Sequence, residues 1–187
     1  MLNIEEILAE NPIIAAIRDD KGFERAISGS SSIVFLLYGS VITIPELCKK
    51  LKKAKKTIFI HMDLIDGLKG DASAIEYIKK YADPEGIITT KISNIRYAKQ
   101  QELLTIQRIF IIDSHSLVTG IKGINETRPS AVEVMPGVAS KIIEKLKKDI
   151  KVPVIAGGLI ETKEDIIDAL SSGANAISTT KESLWKL

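Results

Sequence analysis

Short apolar runs recur along the chain at nearly even intervals. Their first residues lie 20, 24, 29, 20, 25, 21 and 24 positions apart. Most runs are near-continuous in Ile and Val, which is typical of strands that are covered on both faces. We therefore predict eight buried strands, at residues 13–17, 33–38, 57–63, 86–90, 106–112, 131–135, 152–156 and 176–179.

The stretches between these runs have the spacing of amphipathic helices. Residues 45–56 and 139–150 each carry their apolar side chains on one side, and Thr162 begins a further segment with a capping-box pattern. Strands that alternate with helices pair in parallel through right-handed crossovers. Eight such units predict an α/β protein, a small (β/α)8 barrel of the triosephosphate-isomerase type.

Three segments depart from the regular pattern. Residues 181–187 leave room for about two helical turns at most, so we expect a truncated last helix. Residues 114–128 have a weak pattern interrupted by Gly120 and Gly123, which predicts a short and partly irregular connection. A helix at residues 3–10 precedes the first strand and is expected to cover the bottom of the barrel.

Composition and charge narrow the functional classes. The 187 residues are 45% hydrophobic and 27% charged, as in folded globular proteins. The net charge is only +2, so the overall charge does not indicate binding to nucleic acid or to a membrane surface. A single cysteine, Cys48, excludes an intrachain disulfide framework. No apolar run approaches the length of a membrane span. We interpret residues 1–187 as one cytoplasmic domain with no membrane partner.

Polar side chains collect at the predicted carboxyl ends of the strands. In a parallel barrel these ends and the loops after them form the functional face. Alternation places His61 and Asp63 on one face of their strand, and Thr89 and Lys91 on one face of theirs. The candidates for contact with a ligand are Arg18, His61, Asp63, Lys91, Asp113 and Glu133.

The last two strands end in residues suited to an anion. Gly157 and Gly158 follow the seventh strand, and Thr179 and Thr180 end the eighth ahead of a short helix. Glycine lets backbone N–H groups approach an anion closely, and loops after strands seven and eight form the recurring phosphate site of such barrels. The four residues are therefore candidate phosphate ligands. The alternative is that the two glycines only make a tight turn.

The other candidates allow more than one role. Lys91 could form a Schiff base, pair with an anion or reach solvent. Asp63 and Glu133 could accept from ligand hydroxyls, act as acid and base, or neutralise Arg18 and Lys91. His61 could orient a ligand or support the structure, and a lone His-x-Asp pair is weak support for a metal. We expect no metal and no cofactor.

Six lysines fall within eight residues of the helix after the second strand. All but Lys55 lie on one side, opposite the apolar side, so a solvated outer face is the simplest interpretation. The same face could contact an RNA backbone, because that attraction needs positive charge but no particular sequence. The candidates for RNA contact are Lys49, Lys52, Lys53 and Lys56.

Several motifs in a fixed order resemble one known family over essentially the whole chain. The more specific of them are His61-Met62-Asp63-Leu64, Thr89-Thr90-Lys91, Glu133-Val134-Met135-Pro136-Gly137 and Ala156-Gly157-Gly158-Leu159-Ile160. By these motifs the chain resembles the glycerol uptake operon antiterminator regulatory proteins (the GlpP family).

The resemblance implies a barrel that senses glycerol 3-phosphate. When loaded, such a protein binds the leader mRNA of glycerol-metabolism genes and prevents premature transcription termination. Carried onto this chain, Gly157, Gly158, Thr179 and Thr180 would hold the phosphate. Lys91, Arg18, Asp63 and Glu133 would serve the glycerol end and the charge balance. The RNA target and a homo-oligomeric state are left open.

Two other functions stay open from the sequence. One is a small-barrel enzyme acting on a phosphorylated metabolite, such as an aldolase, isomerase or phosphodiester hydrolase, with Lys91 as nucleophile or Asp63 and Glu133 as acid and base. The other is a metabolite-binding protein that pairs with another protein and touches no RNA.

Overall fold

Eight parallel strands close into a barrel in the order in which they follow along the chain, and the last strand pairs with the first. The computed structural model describes residues 3–187. The predicted (β/α)8 barrel is thereby confirmed. The strands are Ile13–Ile17 (β1), Ile33–Leu36 (β2), Thr57–His61 (β3), Gly86–Thr89 (β4), Leu104–Phe110 (β5), Ala131–Met135 (β6), Val154–Gly157 (β7) and Ala176–Thr179 (β8).

Short helices surround the barrel. Within residues 3–187 the last strand is followed by a single 3-10 turn at Glu182–Leu184, which agrees with the short last helix predicted for this segment. No helix within residues 3–187 is long and apolar enough to cross a membrane. The helices are Ile4–Glu10 (α1), Asp20–Ser28 (α2), Ile44–Lys53 (α3), Ala72–Tyr77 (α4), Ile92–Gln100 (α5), Ser114–Thr127 (α6), Ser140–Asp149 (α7) and Lys163–Ser171 (α8), and α4 continues into a wider π-helical turn at Ile78–Ala82.

The lower half of the barrel interior is apolar and closed. Every second strand residue points inward, and the inward set from Ile14 to Ala176 forms one buried cluster. Ile4 and Leu8 of α1 belong to the same cluster, so this helix covers the amino-terminal end of the barrel as predicted. Above this cluster, toward the carboxyl ends of the strands, the inward positions include polar residues: His61 on β3, Arg108 on β5, Glu133 on β6 and Ser178 on β8.

The connection predicted to be irregular at residues 114–128 is instead the longest helix, α6. Gly120 and Gly123 face the sheet and the neighbouring helix. A Cβ on Gly123 would lie 3.1 Å from Ile92 Cδ1, and one on Gly120 would lie 3.4 Å from Ile109 Cδ1. These glycines allow close packing of α6 and do not break it, which is why the weak apolar pattern misled the prediction.

The lysine-rich helix ends earlier than predicted. α3 stops at Lys53, and Lys55 adopts the left-handed conformation with φ of 58°. The turn directs Lys56 inward, where its Nζ donates to the carbonyl oxygens of Gly29 at 2.7 Å and Ser31 at 3.0 Å. Burial lowers the pKa of Lys56. The prediction that Lys56 lies on the solvated side of the helix is therefore wrong.

Candidate functional site

A cavity of about 560 Å³ opens at the carboxyl-terminal end of the barrel. This volume lies within the range of small-molecule sites. Three cations, Arg18 after β1, Arg108 on β5 and Lys181 after β8, contribute to its lining. Acidic residues contribute less, since Glu161 is the one carboxylate among the lining residues within 3–187. The cavity therefore favours an anionic ligand.

The loops after β7 and β8 meet at one side of this cavity. Gly158 and Leu159 both have positive φ, 77° and 61°, which turns the chain sharply after β7. Thr179 is buried and joins the two loops, because its Oγ1 donates to the carbonyl oxygen of Ile160 at 2.8 Å and accepts from the Lys181 N–H at 3.0 Å. Gly158, Thr179 and Thr180 all line the cavity. The two segments thus share one basin.

Gly157 has a different place from Gly158. It ends β7 with its α-carbon facing the barrel interior, and it is not among the residues that line the cavity. A Cβ there would lie 2.5 Å from Glu133 Oε1 and 2.6 Å from Ser178 Oγ. Real Cβ atoms essentially never come this close to other heavy atoms. Glycine at this position makes room for a buried polar network, a role that the two-glycine motif alone does not reveal.

That network joins three strands, the neighbouring β5 and β6 and, across β7, β8. Arg108 Nε on β5 donates to Glu133 Oε2 on β6 at 2.6 Å, and Ser178 Oγ on β8 donates to Glu133 Oε1. Arg108 is 6% exposed and Glu133 is fully buried. Glu133, which the sequence proposed for ligand contact or acid–base chemistry, has both carboxylate oxygens engaged by the protein.

Arg108 is not among the ligand candidates that the sequence pattern predicts. The available signal was a charged residue within a predicted buried strand. Its meaning depends on the strand register, which sets Arg108 directly beside Glu133, 25 positions away in sequence. Burying an arginine inside a barrel costs free energy of folding unless a carboxylate lies beside it and compensates its charge.

His61 lies inside the barrel at the end of β3. It is 2% exposed, and its Nδ1 has no hydrogen-bond partner among the described residues. Burial lowers its pKa to about 4, with a further contribution from the charge of Arg108 and an opposing one from Asp63. His61 is therefore a neutral imidazole at physiological pH.

Asp63 does not share the strand face of His61 as predicted, because β3 ends at His61 and Asp63 lies in a 3-10 turn at Met62–Leu64. Its carboxylate accepts from the Thr90 N–H at 2.7 Å and from the hydroxyls of Thr89 and Thr90. Lys91 Nζ lies 3.9 Å from Asp63 Oδ1. These residues connect the β3 and β4 ends outside the cavity lining given above.

Asp113 begins helix α6. Its carboxylate accepts from the Ser116 N–H at 2.7 Å, and Ser116 Oγ accepts from the Asp113 N–H at 3.0 Å, which completes a capping box. These hydrogen bonds lower the pKa of Asp113. The side chain is exposed and outside the lining of the cavity.

The lysine helix α3 borders a separate groove of about 730 Å³. Lys49 and Lys53 are exposed along it, while Lys52 is paired with Asp83. Tyr81, which is 56% exposed, lines the opposite side. Its ring lies against that of Tyr77, with centroids 4.9 Å apart. The fold thus adds an aromatic side chain that is distant from the lysines in sequence.

The model of the glycerol-3-phosphate responsive antiterminator family matches residues 13–185 of this chain. The chain belongs to this family. The resemblance inferred from the motifs is thereby confirmed. Within residues 3–187 no group of three or more His, Cys, Asp and Glu side chains is placed to hold a metal ion.

Relatives of this chain match nearly its whole length. The glycerol uptake operon antiterminator regulatory protein from Listeria monocytogenes is 35% identical, with a TM-score of 0.90 over 92% of this chain and 94% of that one. A glycerol uptake operon antiterminator-related protein from Thermotoga maritima is 36% identical, with a TM-score of 0.85 over 95% and 99%. The uncharacterized protein YgcP of Escherichia coli is 35% identical over 97% of this chain and 95% of its own. Aldolases at 9–13% identity share the fold alone.

In this chain the motif segments pack against one another beside the cavity. Met135 and Pro136 line it, and the Gly137 N–H donates to the carbonyl oxygens of Gly157 at 2.6 Å and Gly158 at 3.2 Å. A Cβ on Gly137 would lie 2.7 Å from the Gly157 nitrogen. The Met-Pro-Gly and Gly-Gly segments therefore act as one structural unit, which explains their joint occurrence in this sequence.

Proposed function

We propose that this antiterminator binds glycerol 3-phosphate in the cavity at the carboxyl-terminal end of the barrel and, when loaded, binds the leader mRNA of glycerol-metabolism genes. The observation that carries the proposal is the cavity itself, which joins the loops after β7 and β8 to the cations Arg18 and Lys181, with the Arg108–Glu133 pair at its floor. Backbone N–H groups and unpaired cations are the donors that phosphate sites use.

In this proposal the phosphate lies between Gly158 and Thr180. Gly158 has the conformation that exposes backbone N–H groups, and Thr180 offers a hydroxyl at the end of β8. Gly157 and Thr179 support the site from below, through the buried network and the loop-to-loop hydrogen bonds. The 3-10 turn after β8 is too short to add a helix dipole, so the anion is held by amides and side-chain cations.

An enzyme of the aldolase, isomerase or hydrolase type has less support. Lys91, the candidate Schiff-base nucleophile, lies outside the cavity lining beside Asp63. Glu133, a candidate acid or base, is held by Arg108 and Ser178 and is fully buried. A regulatory protein without catalysis is the function we propose.

For the RNA contact we propose the groove between α3 and the π-helical turn. Lys49 and Lys53 would meet phosphates, and Tyr81 offers a ring on which an unpaired base can stack. Lys52 is partly neutralised by Asp83, and Lys56 is engaged by carbonyl oxygens below the surface. This surface replaces the four-lysine face with two lysines and an aromatic ring.

Ligand binding is tested by thermal unfolding. Glycerol 3-phosphate at 100 times its dissociation constant adds about 2.7 kcal/mol of stability, which raises the melting temperature by roughly 5–11 °C at ~2–4 °C per kcal/mol. Glycerol alone is expected to give no comparable shift. Gly158→Val, which places a β-branched residue where the backbone has a φ of 77°, is expected to fold with a distorted loop and to lose the shift. No shift with the wild-type protein would refute the ligand assignment.

RNA binding is tested by fluorescence anisotropy with a labelled leader RNA. Glycerol 3-phosphate is expected to tighten binding, and affinity is expected to fall as salt rises. The double variant Lys49→Ala/Lys53→Ala and the single variant Tyr81→Ala are expected to weaken binding. Lys145→Ala/Lys148→Ala, on the exposed face of α7, is the matched control. Equal RNA affinity with and without ligand would refute the regulatory proposal.

A further inference from the structure

The buried network at the floor of the cavity includes a guanidinium nitrogen that has no acceptor within residues 3–187. Arg108 Nε is engaged by Glu133, but Arg108 Nη2 is buried and has no acceptor among the described residues. The side chain is 6% exposed and belongs to the cavity lining. A guanidinium N–H in this position is available to an oxygen atom of a ligand that reaches into the barrel.

The charges around Arg108 determine whether a charged or a neutral oxygen atom of the ligand binds there. Glu133 is fully buried and compensates the Arg108 charge, so the pair is neutral as a unit. A phosphate dianion placed there would lie against the Glu133 carboxylate. Arg18 and Lys181, in contrast, form no ion pair within residues 3–187 and line the upper part of the same cavity. The anionic group therefore belongs at the rim, and a neutral acceptor belongs at Arg108.

We infer that Arg108 determines specificity by donating from Nη2 to a hydroxyl oxygen on the carbon chain of a bound phosphate monoester. The inference rests on the proposed function, and it names the ligand class as short hydroxylated phosphate monoesters in preference to alkyl phosphates and free phosphate. The phosphate binds at the loops after β7 and β8, and the hydroxylated chain extends down toward β5.

The fork of Arg108 is already oriented before a ligand arrives. Glu133 holds its Nε, Ser178 holds the far oxygen of Glu133, and the missing side chain of Gly157 leaves space for both. Little side-chain freedom remains to be lost on binding, so the hydrogen bond to the hydroxyl contributes more fully to affinity. A site that offers a buried donor discriminates against an analogue that leaves it unpaired.

The inference is tested by isothermal titration calorimetry with three probes: glycerol 3-phosphate, n-propyl phosphate and inorganic phosphate. The wild-type protein is expected to prefer glycerol 3-phosphate over n-propyl phosphate by roughly 10- to 100-fold. The double variant Arg108→Met/Glu133→Gln removes both buried charges together. It is expected to bind n-propyl phosphate within about threefold of wild type and to lose the preference for the hydroxylated ligand.

Two further variants complete the design. Arg108→Lys keeps a cation beside Glu133 but removes the guanidinium group. It is also expected to lose the preference for glycerol 3-phosphate over n-propyl phosphate, and it replaces the double variant if that protein does not fold. Arg96→Met, at an exposed arginine of α5, is the matched control and is expected to leave all three affinities unchanged.

The outcomes separate this inference from the proposed function. Equal wild-type affinity for glycerol 3-phosphate and n-propyl phosphate would overturn the inference and leave the phosphate site in place. If folded Arg108 variants lost affinity for all three probes equally, the phosphate would lie at Arg108. That result would also overturn the inference. A wild-type protein that binds none of the probes would refute the proposed function, and the inference with it.

Discussion

Substituting Gly157 by alanine introduces one methyl group at a crowded point of the barrel interior, beside the buried network. The new carbon would lie 2.5 Å from Glu133 Oε1 and 2.6 Å from Ser178 Oγ. Glu133 cannot move aside easily, because it is fully buried and its other oxygen is held by Arg108. We therefore expect Gly157→Ala to break the hydrogen bond between Ser178 and Glu133.

The magnitude follows from two contributions. Overpacking of a buried site costs about 1–3 kcal/mol, and losing a hydrogen bond to a charged group costs about 1.5–3 kcal/mol. We expect Gly157→Ala to lower the free energy of unfolding by about 2.5–6 kcal/mol, and the melting temperature by roughly 5–24 °C at ~2–4 °C per kcal/mol. Gly158→Ala meets no atom closer than 3.5 Å, so it carries only the left-handed backbone penalty of about 1–2 kcal/mol.

The assay is reversible urea unfolding of wild type, Gly157→Ala, Ser178→Ala and the double variant. Ser178→Ala removes one of the two clashing atoms and frees Glu133 to move. The double variant is therefore expected to be more stable than additivity predicts, by about 1 kcal/mol or more. Additive effects, or a Gly157→Ala protein within about 1 kcal/mol of wild type, would contradict the crowding seen at β7.

Three further predictions concern residues whose surroundings differ from their sequence context. His61 has a pKa of about 4 when folded and ~6.5 when unfolded, so the unfolded chain binds the proton more readily. The neutral imidazole therefore contributes up to about 3 kcal/mol to the free energy of unfolding. This contribution is complete above pH 6.5 and is lost as the pH falls toward 4. His61→Gln should flatten this part of the stability–pH curve, and an unchanged slope would contradict it. Lys56→Met is expected to lower the free energy of unfolding by about 1–3 kcal/mol, because it leaves two carbonyl groups unsatisfied. The control Lys53→Met, at an exposed lysine, is expected to lower it by less than ~0.5 kcal/mol. Both values are measured by urea unfolding. Asp113→Ala is expected to lower the melting temperature, because it removes the cap of α6, and to leave the affinity for glycerol 3-phosphate unchanged in calorimetry. A loss of affinity would instead indicate that Asp113 contacts the ligand.

The barrel could be predicted from the sequence because its strands are buried on both faces. Such strands appear as continuous runs of Ile and Val, and eight of them at intervals of 20 to 29 residues leave space for one short helix each. Helix α6 was missed because its glycines serve close packing against Ile92 and Ile109. A local pattern cannot distinguish a glycine that ends a helix from one that brings a helix near its neighbour.

The polar floor of the cavity could not be predicted in the same way. The partners Arg108 and Glu133 meet only through the register of β5 against β6, and Ser178 joins them across β7 because Gly157 has no side chain. Lys56 leaves the surface because the chain turns at Lys55. Each of these depends on long-range geometry, whereas the loops after β7 and β8 carry their signal in consecutive residues.

Helix α1 fills the amino-terminal end of the barrel with Ile4 and Leu8, so within residues 3–187 a small molecule in the cavity exchanges with bulk water through the opposite end. Any macromolecule that rests over this opening would slow ligand escape. The lifetime of the occupied state after the metabolite is depleted would then depend on what covers the opening as well as on the dissociation constant.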